Sequence, residues 1–234
     1  MELAFHPHPG VRLPLATQFL DEEGNTVALG DYFTRSPVVL LLDYLRCTSL
    51  CGVTLRNLVA KALDPLSLEP GRDYQLVSIS IDPRDTPADA AAARAKYAGL
   101  LDHPGRETGI HFLTGTRRAA QAVADIVGFP YRYDRFLDAY IHPAGFVIAA
   151  PDGAISRYIE GVAISPPELL DALGSAELGN SQGPLTRLLL LCHIQGTPLG
   201  RFTAPILVTF IIADLAAGLT ALAAFIAIGR RRNG

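Results

Sequence analysis

Residues 38–42, Val-Val-Leu-Leu-Leu, form an apolar run that reads as a buried strand, and two cysteines follow it almost at once. The intervening residues are Asp43-Tyr44-Leu45-Arg46, and the pair itself is Cys47-Thr48-Ser49-Leu50-Cys51. From residue 53 to residue 62 the apolar positions recur at helical spacing with no internal Pro or Gly, so the thiols belong to a turn between a buried strand and the mouth of a helix. That junction is where α/β folds carry their chemistry. Two cysteines at a helix N-terminus can exchange electrons or hold a soft metal.

The rest of the chain supplies a framework for that junction. Phe19-Leu20, the polar tip at residues 22–25 and Val27-Ala28-Leu29 predict a short β-hairpin ahead of the core. The helix after the cysteines stops at Asp64-Pro65. Residues 74–81 form a second, β-branched strand ending at Asp82-Pro83-Arg84-Asp85-Thr86-Pro87, where Thr86 caps and Pro87 opens an alanine-rich helix. A strand at residues 111–113 and a helix at residues 117–127, capped by Thr116 and ended by Gly128, complete a strand and helix alternation that implies a parallel sheet. Residues 144–150 and 154–159, joined by Pro151-Asp152-Gly153, then read as an antiparallel hairpin on the sheet edge. Ser165 and Glu168 have capping-box spacing at the start of a closing helix. Hairpin, βαβ units, hairpin and closing helix together are a thioredoxin-like α/β arrangement.

Composition bears on partners and compartment. The chain has 234 residues, a formal net charge of −3 and no basic stripe in its globular part, which argues against a nucleic-acid partner. Three cysteines, Cys47, Cys51 and Cys192, do not make a disulfide-stapled scaffold. Residues 202–229 are apolar but for Asp214, hydroxyls and glycines, and a bilayer needs about 20 such residues, so they read as a transmembrane helix. Asp214 costs about 2.5–3.5 kcal/mol there, which its apolar neighbours offset. Arg230-Arg231-Arg232 place the C-terminus in the cytoplasm and the globular domain in the periplasm, although residues 1–10 lack the charged start and apolar core of a secretory signal. The predicted organisation is a flexible leader at 1–14, the domain at 15–175, a linker and juxtamembrane segment at 176–201, the membrane helix at 202–229 and a basic tail at 230–234.

The Cys51 thiol, at a helix N-terminus, is expected to ionise more easily than a free thiol at about 8.5, and thiolates both bind Cu(I) and attack disulfides. Three residues between the cysteines, against the two of a thioredoxin pair, open the sulfurs around a metal while still allowing a disulfide to close. A histidine would complete a trigonal copper site. Of six histidines, His6 and His8 belong to the leader, and His103 and His111 read as surface or edge residues. His142, before Pro143-Ala144-Gly145, falls where this fold brings a loop beside the cysteine loop. Asp82 reads equally as a residue that tunes the thiols or holds their loop and as a plain turn residue before proline. Cys192 in its apolar stretch reads as buried and inert, with His193 beside it leaving an auxiliary copper role open.

The ordered set Cys47-Thr48-Ser49-Leu50-Cys51, residues 80–87 and Asp138-Ala139-Tyr140-Ile141-His142 resembles the SCO/SenC family of copper-binding cytochrome c oxidase assembly proteins, over about residues 13–173. The resemblance implies that Cys47, Cys51 and His142 bind one copper ion, as Cu(I) or Cu(II). It implies delivery of copper, or of reducing equivalents through Cys47 and Cys51, to the oxidase copper-site subunit. Other copper chaperones and the membrane are the remaining implied partners. Thr48 and Leu50 stand where the family loop commonly has prolines, and the anchor is C-terminal, as in a bacterial subgroup.

Overall fold

A computed structural model describes residues 3–46, 50–66, 68–101 and 106–177, with 50, 51, 106 and 107 described as backbone only. The chain divides into two units, Met1–Gly179 and Asn180–Gly234. The described residues all belong to the first.

At its centre is the apolar run that precedes the cysteines. It forms strand β3 (Val38–Asp43), buried at all six positions. β3 lies in the middle of a five-stranded sheet, with β4 (Gln75–Ser80) parallel on one side and β8 (Gly145–Ala149) antiparallel on the other. β5 (Ile110–Leu113) and β9 (Ile155–Glu160) are the edges, giving the order β5-β4-β3-β8-β9. The period of two sends Val39 and Leu41 into a cluster with α1 (Leu50–Asn57), α2 (Pro87–Ala98) and α4 (Pro166–Glu177). Val38, Leu40 and Leu42 enter a second cluster, against α3 (Arg117–Val127). The mixed α/β architecture agrees with the expected arrangement, with one shift of place: of the predicted edge hairpin, only β9 is an edge, because β8 pairs with β3.

Local chemistry sets the helix ends. Thr86 Oγ1 accepts from Asp89 N–H at 3.3 Å while Asp89 accepts from Thr86 N–H at 2.8 Å, a reciprocal box with Pro87 in the first turn. Thr116 caps α3 through Ala119 N–H at 3.2 Å. Gly128 ends α3 at φ +67°, and a Cβ there would lie 1.9 Å from the carbonyl oxygen of His6. α1 starts at Leu50 and runs into a π-helical turn, Leu58–Leu63, whose wider register keeps Leu58, Val59, Ala62 and Leu63 all buried.

Two features depart from expectation. The segment read as a flexible leader packs on the domain: Phe5 is buried against Phe129 and Tyr158, Leu13 is buried, and His6 N–H donates to Gly128 O at 2.8 Å. Its apolar residues have a core to join, and its backbone pairs with β9 through Gly10 N–H and Ile155 O at 2.7 Å. The second is a small hairpin ahead of His142, in which β6 (Arg132–Asp134) and β7 (Ala139–Ile141) pair antiparallel. Strands of three mixed residues carry too little periodicity to be read in advance. The expected N-terminal hairpin is present, as β1 (Gln18–Leu20) paired antiparallel with β2 (Thr26–Ala28). Residues 178–201 of the expected linker, the membrane helix at 202–229, the tail at 230–234, His103, Cys192 and His193 lie outside the described residues. Among the described residues no helix is long and apolar enough to cross a membrane.

Candidate metal and redox site

Three segments meet at the C-terminal end of β3 and β4. The first is Tyr44-Leu45-Arg46, leading to the cysteines; the second is the loop from Ile81 to Thr86 that enters α2; the third is the β6–β7 hairpin, which delivers His142.

Cys47 lies outside the described residues, as does the side chain of Cys51; the backbone of Cys51 is in the first turn of α1. The amides of a helix's first turn have no partner within the helix and favour an anion such as a thiolate. His142 follows β7 and is partly buried. Its ring lies edge-on to Tyr44, 6.1 Å between centroids, and 5.3 Å from Phe129. The histidine is thereby brought against the segment that runs into the cysteine loop.

One contact of the ring bears on its tautomer. Nδ1 lies 2.8 Å from the carbonyl oxygen of Pro143, and a carbonyl only accepts, so Nδ1 carries the proton. In the neutral ring this leaves Nε2 with the lone pair, the form in which imidazole binds a metal. Among the described residues no group of three His, Cys, Asp or Glu side chains is assembled, the two expected thiol partners being outside them.

Asp82 is buried but serves its own loop. Its carboxylate accepts from Arg84 N–H at 2.9 Å and from Arg84 Nε and Nη2 at 3.0 and 2.8 Å. The residue that holds the cysteine segment is Asp85, whose Oδ2 accepts from Leu45 N–H and from Ser80 Oγ, both at 2.7 Å. Its Oδ1 is 3.2 Å from Arg46 Nε, close enough for an ion pair but not aligned as a hydrogen bond. Burial pushes the Asp85 carboxyl upward, against the lowering effect of these two hydrogen bonds. Arg46, next to Cys47 in sequence, also donates to Arg84 O at 2.6 Å and to Asp89 at 3.2 Å.

Arg84 continues to the third segment, with Nη1 3.0 Å from Asp138 and its guanidinium carbon 5.1 Å above the Tyr133 ring. The Tyr133 hydroxyl donates to Asp138, and this bond together with Arg84 holds the Asp138 carboxyl below its ordinary range. Sequence reasoning did not single out Asp85, Arg46, Arg84 or Asp138. The advance signals were the Asp-Pro-Arg-Asp pattern after a strand, which holds Arg84 and Asp85, and the motif from Asp138 to His142.

The family model described as SCO1/SenC matches residues 15–176. None of the curated proteins matches the chain. Among solved structures, a candidate electron transfer protein from Aquifex aeolicus VF5 is 25% identical at a TM-score of 0.64, covering 76% of this chain and 97% of that one. BsSco, a member of the Sco family of cytochrome c oxidase assembly proteins in which a disulfide switch was identified, is 21% identical at 0.55, covering 74% and 98%. ScoI of Arabidopsis thaliana, crystallised with copper bound, is 20% identical at 0.53, covering 69% and 94%.

Proposed function

The chain belongs to the SCO1/SenC family, and on that premise we propose that it is a membrane-anchored copper chaperone. It takes one copper ion through Cys47, Cys51 and His142 and delivers it during assembly of the binuclear copper centre of cytochrome c oxidase. The observation that carries this reading is the place of the His142 ring, 6.1 Å from Tyr44 at the entry to the cysteine loop, with Nδ1 held 2.8 Å from Pro143 O. Two thiolates and one imidazole are a donor set suited to copper. The copper-bound ScoI structure and the oxidase-assembly role of BsSco support the choice of cargo and recipient.

Delivery follows from the ligand count. Three donors leave room for a thiolate of the recipient to bind before one of the chain's own leaves, so copper passes by ligand exchange and is never released to water. Asp85 and Arg46 hold the cysteine segment for this step, and the β6–β7 hairpin presents the histidine. Residues 202–229 anchor the chain in a bacterial inner membrane with the domain facing the periplasm and Arg230 to Arg232 in the cytoplasm.

A second reading is favoured by the disulfide switch of BsSco and by the electron-transfer assignment of the Aquifex protein. The Cys47 and Cys51 dithiol reduces a disulfide at the oxidase copper site: one thiolate attacks, a mixed disulfide forms, and the second displaces the target thiol. The chain ends as the Cys47–Cys51 disulfide and the target as a dithiol, with two electrons and two protons transferred. Metal analysis of the reduced full chain, purified without a histidine tag, separates the two. One copper per chain, with added copper restoring oxidase assembly in a deletion strain, supports the chaperone. Metal-free protein and rescue by a thiol reductant alone support the reductase.

A further inference from the structure

The loop between β4 and α2 grips both arms of the candidate site, but with unequal protection from solvent. Toward the cysteine arm, the grip is the Asp85 carboxylate, whose side chain is 0% exposed, accepting from Leu45 N–H. Toward the histidine arm, it is the Arg84 and Asp138 ion pair, with side chains 50% and 73% exposed. Arg84 is anchored at its other side by Asp82, whose side chain is 2% exposed, so it is a fixed bracket reaching outward to the hairpin. Asp138 stands where the hairpin enters β7, four residues before His142, in the left-handed region at φ +46°.

We propose that Arg84 is a positioning residue for His142, and that the Arg84–Asp138 pair is an ionic latch setting the histidine arm against the cysteine arm. The proposal rests on the reading of His142 as a copper ligand. Because the latch is at the surface, salt screens it; because Asp85 is buried, the cysteine arm keeps its place when the latch opens. His142 is therefore the ligand whose placement responds to ionic strength through this pair.

The test uses the reduced full chain and two variants. Asp138→Asn removes the charge while keeping size and tolerance of the left-handed backbone. Asp171→Asn breaks a comparable surface pair, to Arg157 at 2.8 Å on the α4 side, and serves as control. Cu(I) affinity is measured by competition at low salt and at about 0.5 M salt. The latch predicts that Asp138→Asn weakens binding up to about fivefold at low salt and flattens its salt dependence, while the wild type falls toward the same value at high salt. Asp171→Asn follows the wild type. Wild-type affinity and wild-type salt dependence in Asp138→Asn overturn the latch. If the wild type takes up no Cu(I), the copper reading falls. Amide exchange of residues 132–141 in the metal-free chain then decides the latch: faster exchange in Asp138→Asn than in the wild type and Asp171→Asn sustains it, and unchanged exchange overturns it.

Discussion

The carboxylate of Asp85 accepts a 2.7 Å hydrogen bond from the backbone N–H of Leu45, two residues before Cys47 in sequence. A buried acid on one loop therefore positions the backbone that enters the cysteine loop. Asp85→Ala leaves that N–H without its acceptor, leaves the Ser80 hydroxyl only the longer bond to Asp82 O at 3.3 Å, and removes one of the two ion pairs of Arg46, the other being to Asp89. Unmade buried hydrogen bonds of this kind cost about 1–3 kcal/mol. The expected result is a lower midpoint of urea unfolding with an unchanged slope, and a smaller loss for Asp85→Asn, whose amide oxygen can still accept from Leu45.

Gly128 is constrained twice, by its φ of +67° and by the His6 carbonyl oxygen lying 1.9 Å from where a Cβ would be. Gly128→Ala forces either the α3 terminus or the N-terminal segment to move. Left-handed strain alone is about 1–3 kcal/mol, and loss of the His6 to Gly128 hydrogen bond adds to it. Faster amide exchange at His6 together with a lower unfolding midpoint is the expected outcome. A wild-type midpoint would show that the segment docks without this contact.

His111 lies on edge strand β5, with Nε2 3.2 Å from Gln75 Oε1 and its ring 4.5 Å from Tyr32. Burial lowers its pKa to about 4, helped by Arg94 and opposed by Asp21. The folded value lies below the unfolded one near 6.5, so the contribution is fully present above pH 6.5 and is lost as pH falls toward 4. The loss is on the order of 2–3 kcal/mol. Burial pushes the Glu22 carboxyl upward, which acts with opposite sign as pH falls, so the comparison must be with a variant that keeps Glu22. Between pH 7 and pH 4.5 the wild type should lose more stability than His111→Asn, measured by urea unfolding at each pH. Equal losses would contradict the assignment.

Much of the framework was legible because its signals are local. The β3 run, the Thr86 and Thr116 caps and the Gly128 stop each depend on neighbouring residues alone. The place of His142 against Tyr44 was legible because it follows from the fold, and the roles of the aspartates were less so. Asp82 and Asp85 both follow the end of β4, and the choice between them is made by a turn in which Asp85 N–H donates to Asp82 O at 3.0 Å. Within it Asp85 reaches Leu45, while Asp82 is taken up by Arg84. Spacing does not distinguish these outcomes. The β6–β7 hairpin was hidden for another reason: its strands are three residues each and are held by cross-chain contacts such as Arg84 with Asp138. The docking of the N-terminal segment was not legible, because Phe5 and Leu13, which bury there, are isolated apolar residues without periodicity.

The most direct test of the copper reading is a Cu(I) competition titration of the reduced full chain against Cys47→Ala, Cys51→Ala and His142→Ala. A three-ligand site predicts one ion bound by the wild type, no competitive binding by either cysteine variant, and affinity lower by about tenfold or more, some 1.4 kcal/mol, in His142→Ala. His142→Ala with wild-type affinity would contradict the proposed site.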